Sequence, residues 1–182
     1  LVLAARNGER LQALADELAS RNAALRLVTV ACDLASDVGR EVLWEKIDVL
    51  DVQPSLLINN AGLGDYGAFM AADEARIRQQ IEVNVTALTL LTHEFVKHGR
   101  ATAERPAAVL NVSSLAGSTP VPDLTVYAAT KAYVTSFSEA LAMELASRHV
   151  QVLAVCPGPT PTNFSTAARR GDGKDTDRSG QD

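Results

Sequence analysis

The sequence is short of several things. It has only two cysteines in 182 residues, Cys32 and Cys156. They stand far apart in no metal-binding or redox spacing, and read as reduced, partly buried thiols of a cytoplasmic protein. Aromatic residues are 4% of the chain, too few for a surface on which single-stranded nucleic acid stacks. Net charge is -5, so there is no general basic field for nucleic acid. No apolar run approaches the roughly 18 residues of a membrane span, and no signal-peptide pattern is visible. His93, His98 and His149 form no metal-like grouping, so no metal is expected. An initial methionine is also missing. Because "LVLAAR" reads as the middle of a strand, the chain is expected to be a fragment lacking its N-terminus.

What is present is the makeup of an ordinary globular domain, 47% apolar and 21% charged. Short apolar runs alternate with longer stretches of helical period. Strands are expected at "LVLAAR", "LRLVTVACDL" (buried on both faces), "SLLIN", "AAVLNVSS" and "VQVLAVCPG". Helices are expected over Glu9–Ser20, Ser36–Leu50 with Ser36 as N-cap, Asp73–Lys97 and Tyr127–Arg148. Leu11, Leu14, Ala15 and Leu18 share a face of the first of these, and Val38, Val42, Leu43 and Ile47 a face of the second. Trp44 reads as a packing residue. Strand and helix in alternation mean parallel pairing with right-handed crossovers, a doubly wound α/β sheet. Ligands in such sheets sit outside the carboxyl ends of the strands. Arg6, Asp33, "NNAG", "SSLAG" and "CPGPTPT" all fall there, which argues for one composite site. The end of the chain, "RRGDGKDTDRSGQD" from Arg169, has no apolar residue and balances four positive against four negative side chains. It reads as disordered rather than as a charged arm. The expected organisation is a domain over 1–165 and a polar tail over 166–182.

In "VYAATKAYVTSF", Tyr127 and Lys131 stand four residues apart, on one face of a helix. A free phenol, with a pKa near 10, is a weak base at neutral pH, and a nearby cation favours its ionised form. Such a pair can trade protons with a hydroxyl or carbonyl oxygen. The spacing alone equally fits two residues that merely share a face. Ser114 lies thirteen residues earlier, at the end of a strand, where its hydroxyl could bond the same oxygen. Ser113 is the better candidate for capping the strand end.

At these residues the chain resembles the short-chain dehydrogenase/reductase family. The resemblance rests on "NNAG" at Asn59–Gly62, Asn84 in "IEVNVTA", "NVSSLAG" at Asn111–Gly117, "YAATK" at Tyr127–Lys131 and "CPGPTPT" at Cys156–Thr162. It covers about residues 1 to 165. It implies a Rossmann-like sheet, incomplete at both ends, and an oxidoreductase that moves hydride between a nicotinamide and a carbonyl/alcohol pair. By that resemblance Tyr127 is the general acid/base. Lys131 tunes it and holds the nicotinamide ribose, Ser114 positions the substrate oxygen, and Asn84 holds a water of a proton relay, through a local break in its helix. Asn60, Ala61 and Gly62 lie against the cofactor, Asn59 ties strands together, and Asp33 meets the adenine. Pro157, Gly158 and Thr162 border the nicotinamide. Arg6 follows Ala5 at the end of the first strand, where an acid would suit NAD and a base suits the 2′-phosphate of NADP. NADP is therefore expected, with NAD as the other choice, and reduction as the favoured direction.

The family's glycine-rich phosphate loop and substrate-covering segment do not occur in the sequence. The fragment by itself is therefore expected to be inactive. The expected partner is a small carbonyl or alcohol substrate, with no nucleic acid and no membrane, in a homo-oligomer built on the helices at Asp73 and Tyr127. A non-catalytic nucleotide-binding regulatory protein of the same fold is the competing expectation.

Overall fold

The computed structural model describes residues 1–99, 101–161, 164, 168 and 169. Five parallel strands appear among them: β1 (Val2–Ala5), β2 (Val28–Ala31), β3 (Leu56–Asn59), β4 (Ala107–Val112) and β5 (Val150–Val155). β1 pairs with β2, Ala5 opposite Ala31. The second ladder runs β3-β4-β5, with Asn59 opposite Asn111 and Val112 opposite Val155. Each parallel pair is joined through helix, as parallel strands require.

Helix α1 (Gly8–Arg21) starts where the Asn7 side chain accepts from the Arg10 amide. Helix α2 (Asp37–Val49) starts where Ser36 accepts from Gly39, the cap expected from sequence. Asp73 caps α3 (Glu74–Ile81). The expected single helix over Asp73–Lys97 is three connected pieces: α3, a π-helical stretch Glu82–Ala87, and α4 (Leu88–His98). α5 (Thr125–Leu145) ends in a 3₁₀ turn, Ala146–Arg148.

The core has two neighbouring clusters. Val30, Cys32, Leu43, Ile47 and Leu91 form one; Phe95, Ala107, Val109, Leu145 and Val150 form the other. Trp44 and Leu57 pack against both, which joins them. Three sequence expectations fail here, the first being Leu14, which is exposed on α1 while Leu11 and Ala15 are buried. Val38 and Val42 point outward from α2, because the turn of α2 that meets the sheet carries Gly39, Leu43 and Ile47 instead. A Cβ at Gly39 would come 2.0 Å from the Asp33 carbonyl oxygen, so only glycine admits this close approach. The second strand is four residues long and half-buried rather than buried on both faces.

Between the second sheet and its helices runs a buried polar line. The Asn59 amide donates to Thr92 on α4 and to Asn111 on β4, each at 2.9 Å. The Asn111 amide donates to Ser138 on α5, also at 2.9 Å. Thr92 and Ser138 donate onward to the Leu88 and Val134 carbonyls of their own helices. All four side chains are buried and every one is satisfied, the condition under which a polar network can sit in a core. Asn59 thus ties strands together, as its position in "NNAG" suggested.

Candidate active site

The first turns of α5 carry the candidate pair. Tyr127 and Lys131 are both buried, and the Lys131 ammonium lies 5.7 Å from the centre of the Tyr127 ring. Lys131 Nζ donates to the Val112 carbonyl at the carboxyl end of β4, at 2.7 Å. Burial disfavours the charged form and brings the Lys131 pKa down to about 8 from 10.5. That ammonium is still charged at neutral pH, and among the described residues it donates to the Val112 carbonyl.

Asn84 stands in the π-helical stretch, and the irregularity explains its reach. Its carbonyl accepts from the Leu63 amide and its NH₂ donates to the Leu63 carbonyl, both at 2.8 Å. The same NH₂ donates to Thr130 at 3.0 Å, and Thr130 donates to the Tyr127 carbonyl at 2.7 Å. Asn84 therefore locks the strand-end loop after "NNAG" to the first turn of α5. Gly62 fills the space between the groups: a Cβ there would lie 3.4 Å from Lys131 Nζ and 3.6 Å from Asn84 Oδ1. Three segments distant in sequence, at Gly62, Asn84 and Tyr127–Lys131, thus meet at one place.

Ser114 lies at the carboxyl end of β4, half-buried. Its hydroxyl accepts from the Ala116 amide at 3.1 Å and so caps a 3₁₀ turn, Leu115–Gly117. Ser113, expected to do that capping, instead donates to the Lys131 carbonyl at 2.8 Å and shares a hydrogen bond with Thr135. The alternation of a strand decides this: Ser113 points into the helix layer and Ser114 away from it. Gly117 brings the turn onto α5, since a Cβ would sit 2.6 Å from the Lys131 carbonyl carbon. Pro157 joins the same region by accepting from the Leu115 amide at 3.0 Å, and a Cβ at Gly158 would lie 3.3 Å from Leu115.

The outer candidates line the strand ends. Arg6, Asp33, Asn60, Ala61 and Gly158 are exposed there, and Pro157 is half-buried. Asp33 closes a turn by accepting from the Ala35 amide, while Ser36 does the helix capping. Thr162 and the expected polar tail lie outside the described residues, apart from Ala168 and Arg169. Ala168 is buried, and its carbonyl accepts from the Tyr66 amide at 2.8 Å. The Phe164 ring lies 5.2 Å from that of Tyr127, and a Cβ at Gly64 would come 2.7 Å from it.

Sequence reasoning missed Thr130, the link between Asn84 and Tyr127, although it directly precedes Lys131. It also missed Thr92, Asn111 and Ser138. The signal for Asn111 was a polar residue in an otherwise apolar strand. Cys32 and Cys156 are free, as expected, and burial raises the Cys32 thiol pKa, with Asp33 adding to it. Among the described residues there is no cluster of metal-ligating side chains and no helix long and apolar enough to cross a membrane.

A family model described as short chain dehydrogenase matches residues 1–173. The chain belongs to the short-chain dehydrogenase family. Among short-chain dehydrogenase relatives, Nodulation protein G of Rhizobium sp. (strain N33) is 33% identical over 156 residues, covering 82% of this chain and 58% of that protein. Sepiapterin reductase of Rattus norvegicus is 33% identical over 176 residues, covering 93% of this chain and 66% of that one. The chain thus spans under two thirds of the length of these relatives.

Solved structures confirm the Rossmann-like α/β fold. A short-chain dehydrogenase from Sphingobium yanoikuyae in complex with NADPH superposes with a TM-score of 0.81 at 31% identity, over 92% of this chain and 64% of that one. A 3-ketoacyl-(acyl-carrier-protein) reductase from Brucella melitensis complexed with NADH gives 0.82 at 26% identity, over 91% and 68%.

Proposed function

We propose that the whole protein is an NADPH-dependent reductase of a carbonyl substrate, with Tyr127 as general acid. The observation that carries this reading is the buried Lys131 ammonium beside the Tyr127 ring, braced by Asn84 and bounded by Gly62. Burying a lysine is costly unless something uses or pairs the charge. Here it has one backbone acceptor and a phenol for a neighbour.

The residues at the strand ends suit a dinucleotide. Gly62 leaves bare backbone in contact with the Lys131 and Asn84 head groups, where a side chain would fill the cradle. Asn60, Ala61, Pro157, Gly158 and Thr162 would hold the nicotinamide half, Asp33 the adenine, and the Arg6 guanidinium a 2′-phosphate. When bound, the cofactor supplies the hydride. Tyr127 donates the proton to the substrate oxygen, and Ser114 donates a hydrogen bond to that same oxygen. Lys131 stabilises the charge left on the phenol and bonds the ribose. Asn84 keeps the loop in register and holds a water that returns a proton toward Lys131. We place the protein in the cytoplasm as a homo-oligomer. The substrate class spans ketones, 3-oxoacyl thioesters and steroid-like alcohols.

The test is NADPH oxidation by the protein expressed from its complete reading frame, against a panel of those carbonyls. Tyr127→Phe should lower kcat by at least about 100-fold while NADPH still quenches protein fluorescence. Unchanged turnover in Tyr127→Phe would reject the acid role. Equal affinity for NADH and NADPH, unmoved by Arg6→Ala, would reject the cofactor preference. Cofactor binding without turnover of any carbonyl would favour a regulatory protein.

A further inference from the structure

Helix α3 presents Arg76 and Gln80 on one face, one turn apart. Both look onto the loop after Leu63. The Arg76 guanidinium donates to the Gly64 carbonyl at 3.3 Å and lies 3.9 Å from the buried Asp65 carboxylate. Gln80 is deeper, only 1% exposed, and its Oε1 has no hydrogen-bond partner among the described residues. A buried amide carbonyl left without a donor is destabilising, so native proteins rarely keep one without a reason.

Gln80 lines a small cavity of about 10 Å³ together with Asp65, Gly67, Phe69, Asp123 and Thr125. That volume accommodates the centre of a single water. The lining offers what one water needs: the side-chain amide of Gln80, whose carbonyl lacks a donor, and oxygen-bearing residues for the other hydrogen bonds. Two features speak against a metal ion. Asp65 already faces the Arg76 charge, and Phe69, Ala72 and Val126 make the remaining wall apolar.

We infer that Gln80 anchors one ordered water, which joins the loop at 65–69, helix α3 and the first turn of α5. Gln80 is thereby a positioning residue for the loop. The same loop is tied to the segment before α5 by the Gly67 amide, which donates to the Asp123 carbonyl at 2.8 Å. Water and amide form two fastenings between the loop and the turn that leads into Tyr127. The inference stands whether or not Tyr127 is the acid.

A high-resolution crystal structure of the unmodified protein is the first test. A single density peak at hydrogen-bonding distance from Gln80 Oε1, as ordered as its neighbours, is expected. A dry cavity, or Gln80 turned onto a protein donor, would overturn the inference. The second test is Gln80→Met, an apolar side chain of similar length. Losing the water's anchor should lower the urea midpoint and speed exchange of the Gly67 amide by about tenfold relative to β4 amides. An unchanged or higher midpoint would mean a dry, unsatisfied carbonyl and would overturn it. The midpoint should be equal in sodium, potassium and tetramethylammonium chloride at one ionic strength. Dependence on the small cation would assign the cavity to an ion instead.

Discussion

Gly117 lies on the backbone of Lys131, where a Cβ would approach its carbonyl carbon to 2.6 Å and the next amide nitrogen to 2.7 Å. Neither atom can move without shifting helix α5. The turn after Ser114 is thereby pressed against the residue whose ammonium faces Tyr127. Gly117→Ala should destabilise the fold by about 1–3 kcal/mol, as overpacking does. Chemical denaturation measures this. A variant as stable as the parent would show that the turn is free to lift.

Lys131 makes stability depend on pH in a definite direction. The folded protein releases this proton near pH 8, whereas the unfolded chain keeps it to about 10.5. Between those values unfolding takes up a proton, so stability rises with pH there, by up to about 3 kcal/mol from this group. Urea midpoints from pH 7 to 10.5, compared with Lys131→Met, isolate the effect. The parent should gain on the variant across that window. A difference that stays flat would mean the ammonium is better solvated than its burial indicates. In turnover, the support of the phenol proposed for Lys131 should fade above pH 8.

Asn84→Ala should cost about 2–4 kcal/mol, because both backbone groups of Leu63 lose their partner at once. Hydrogen exchange should locate the damage at residues 61–64 and the start of α5. Asn84→Asp keeps the acceptor for the Leu63 amide but sets a carboxylate against the Leu63 carbonyl. It should be destabilised less at acid pH than at neutral pH. Equal effects at both would argue that the Leu63 bonds contribute little.

Asn111→Ala removes the acceptor of Asn59 and the donor to Ser138. A loss of about 2–4 kcal/mol is expected for leaving buried amide groups unpaired. Combining it with Ser138→Ala should give less than the sum of the two losses, since both cut the same line. Strict additivity would show that the network is only a set of independent bonds.

The sequence by itself determined the class of fold and the pairing of Tyr127 with Lys131 on one helix face. Alternating strand and helix periods fix a parallel α/β sheet, because backbone periodicity and crossover handedness leave few other options. The Tyr127–Lys131 spacing, the cap at Ser36 and the strand-tying part of Asn59 are local or motif-borne, and the fold keeps all three. Other matters were decided only by tertiary packing. Which serine of Ser113–Ser114 turns inward depends on strand phase against α5. The outward turn of Val38 and Val42 depends on where α2 meets the sheet, a contact shaped by Gly39 against Asp33. The meeting of Gly62, Asn84, Thr130 and Lys131, and the buried carbonyl of Gln80, come from chain segments far apart in sequence. No local pattern encodes such encounters, because they exist only once the sheet has aligned the strand ends and the π-helical stretch has turned Asn84 toward them.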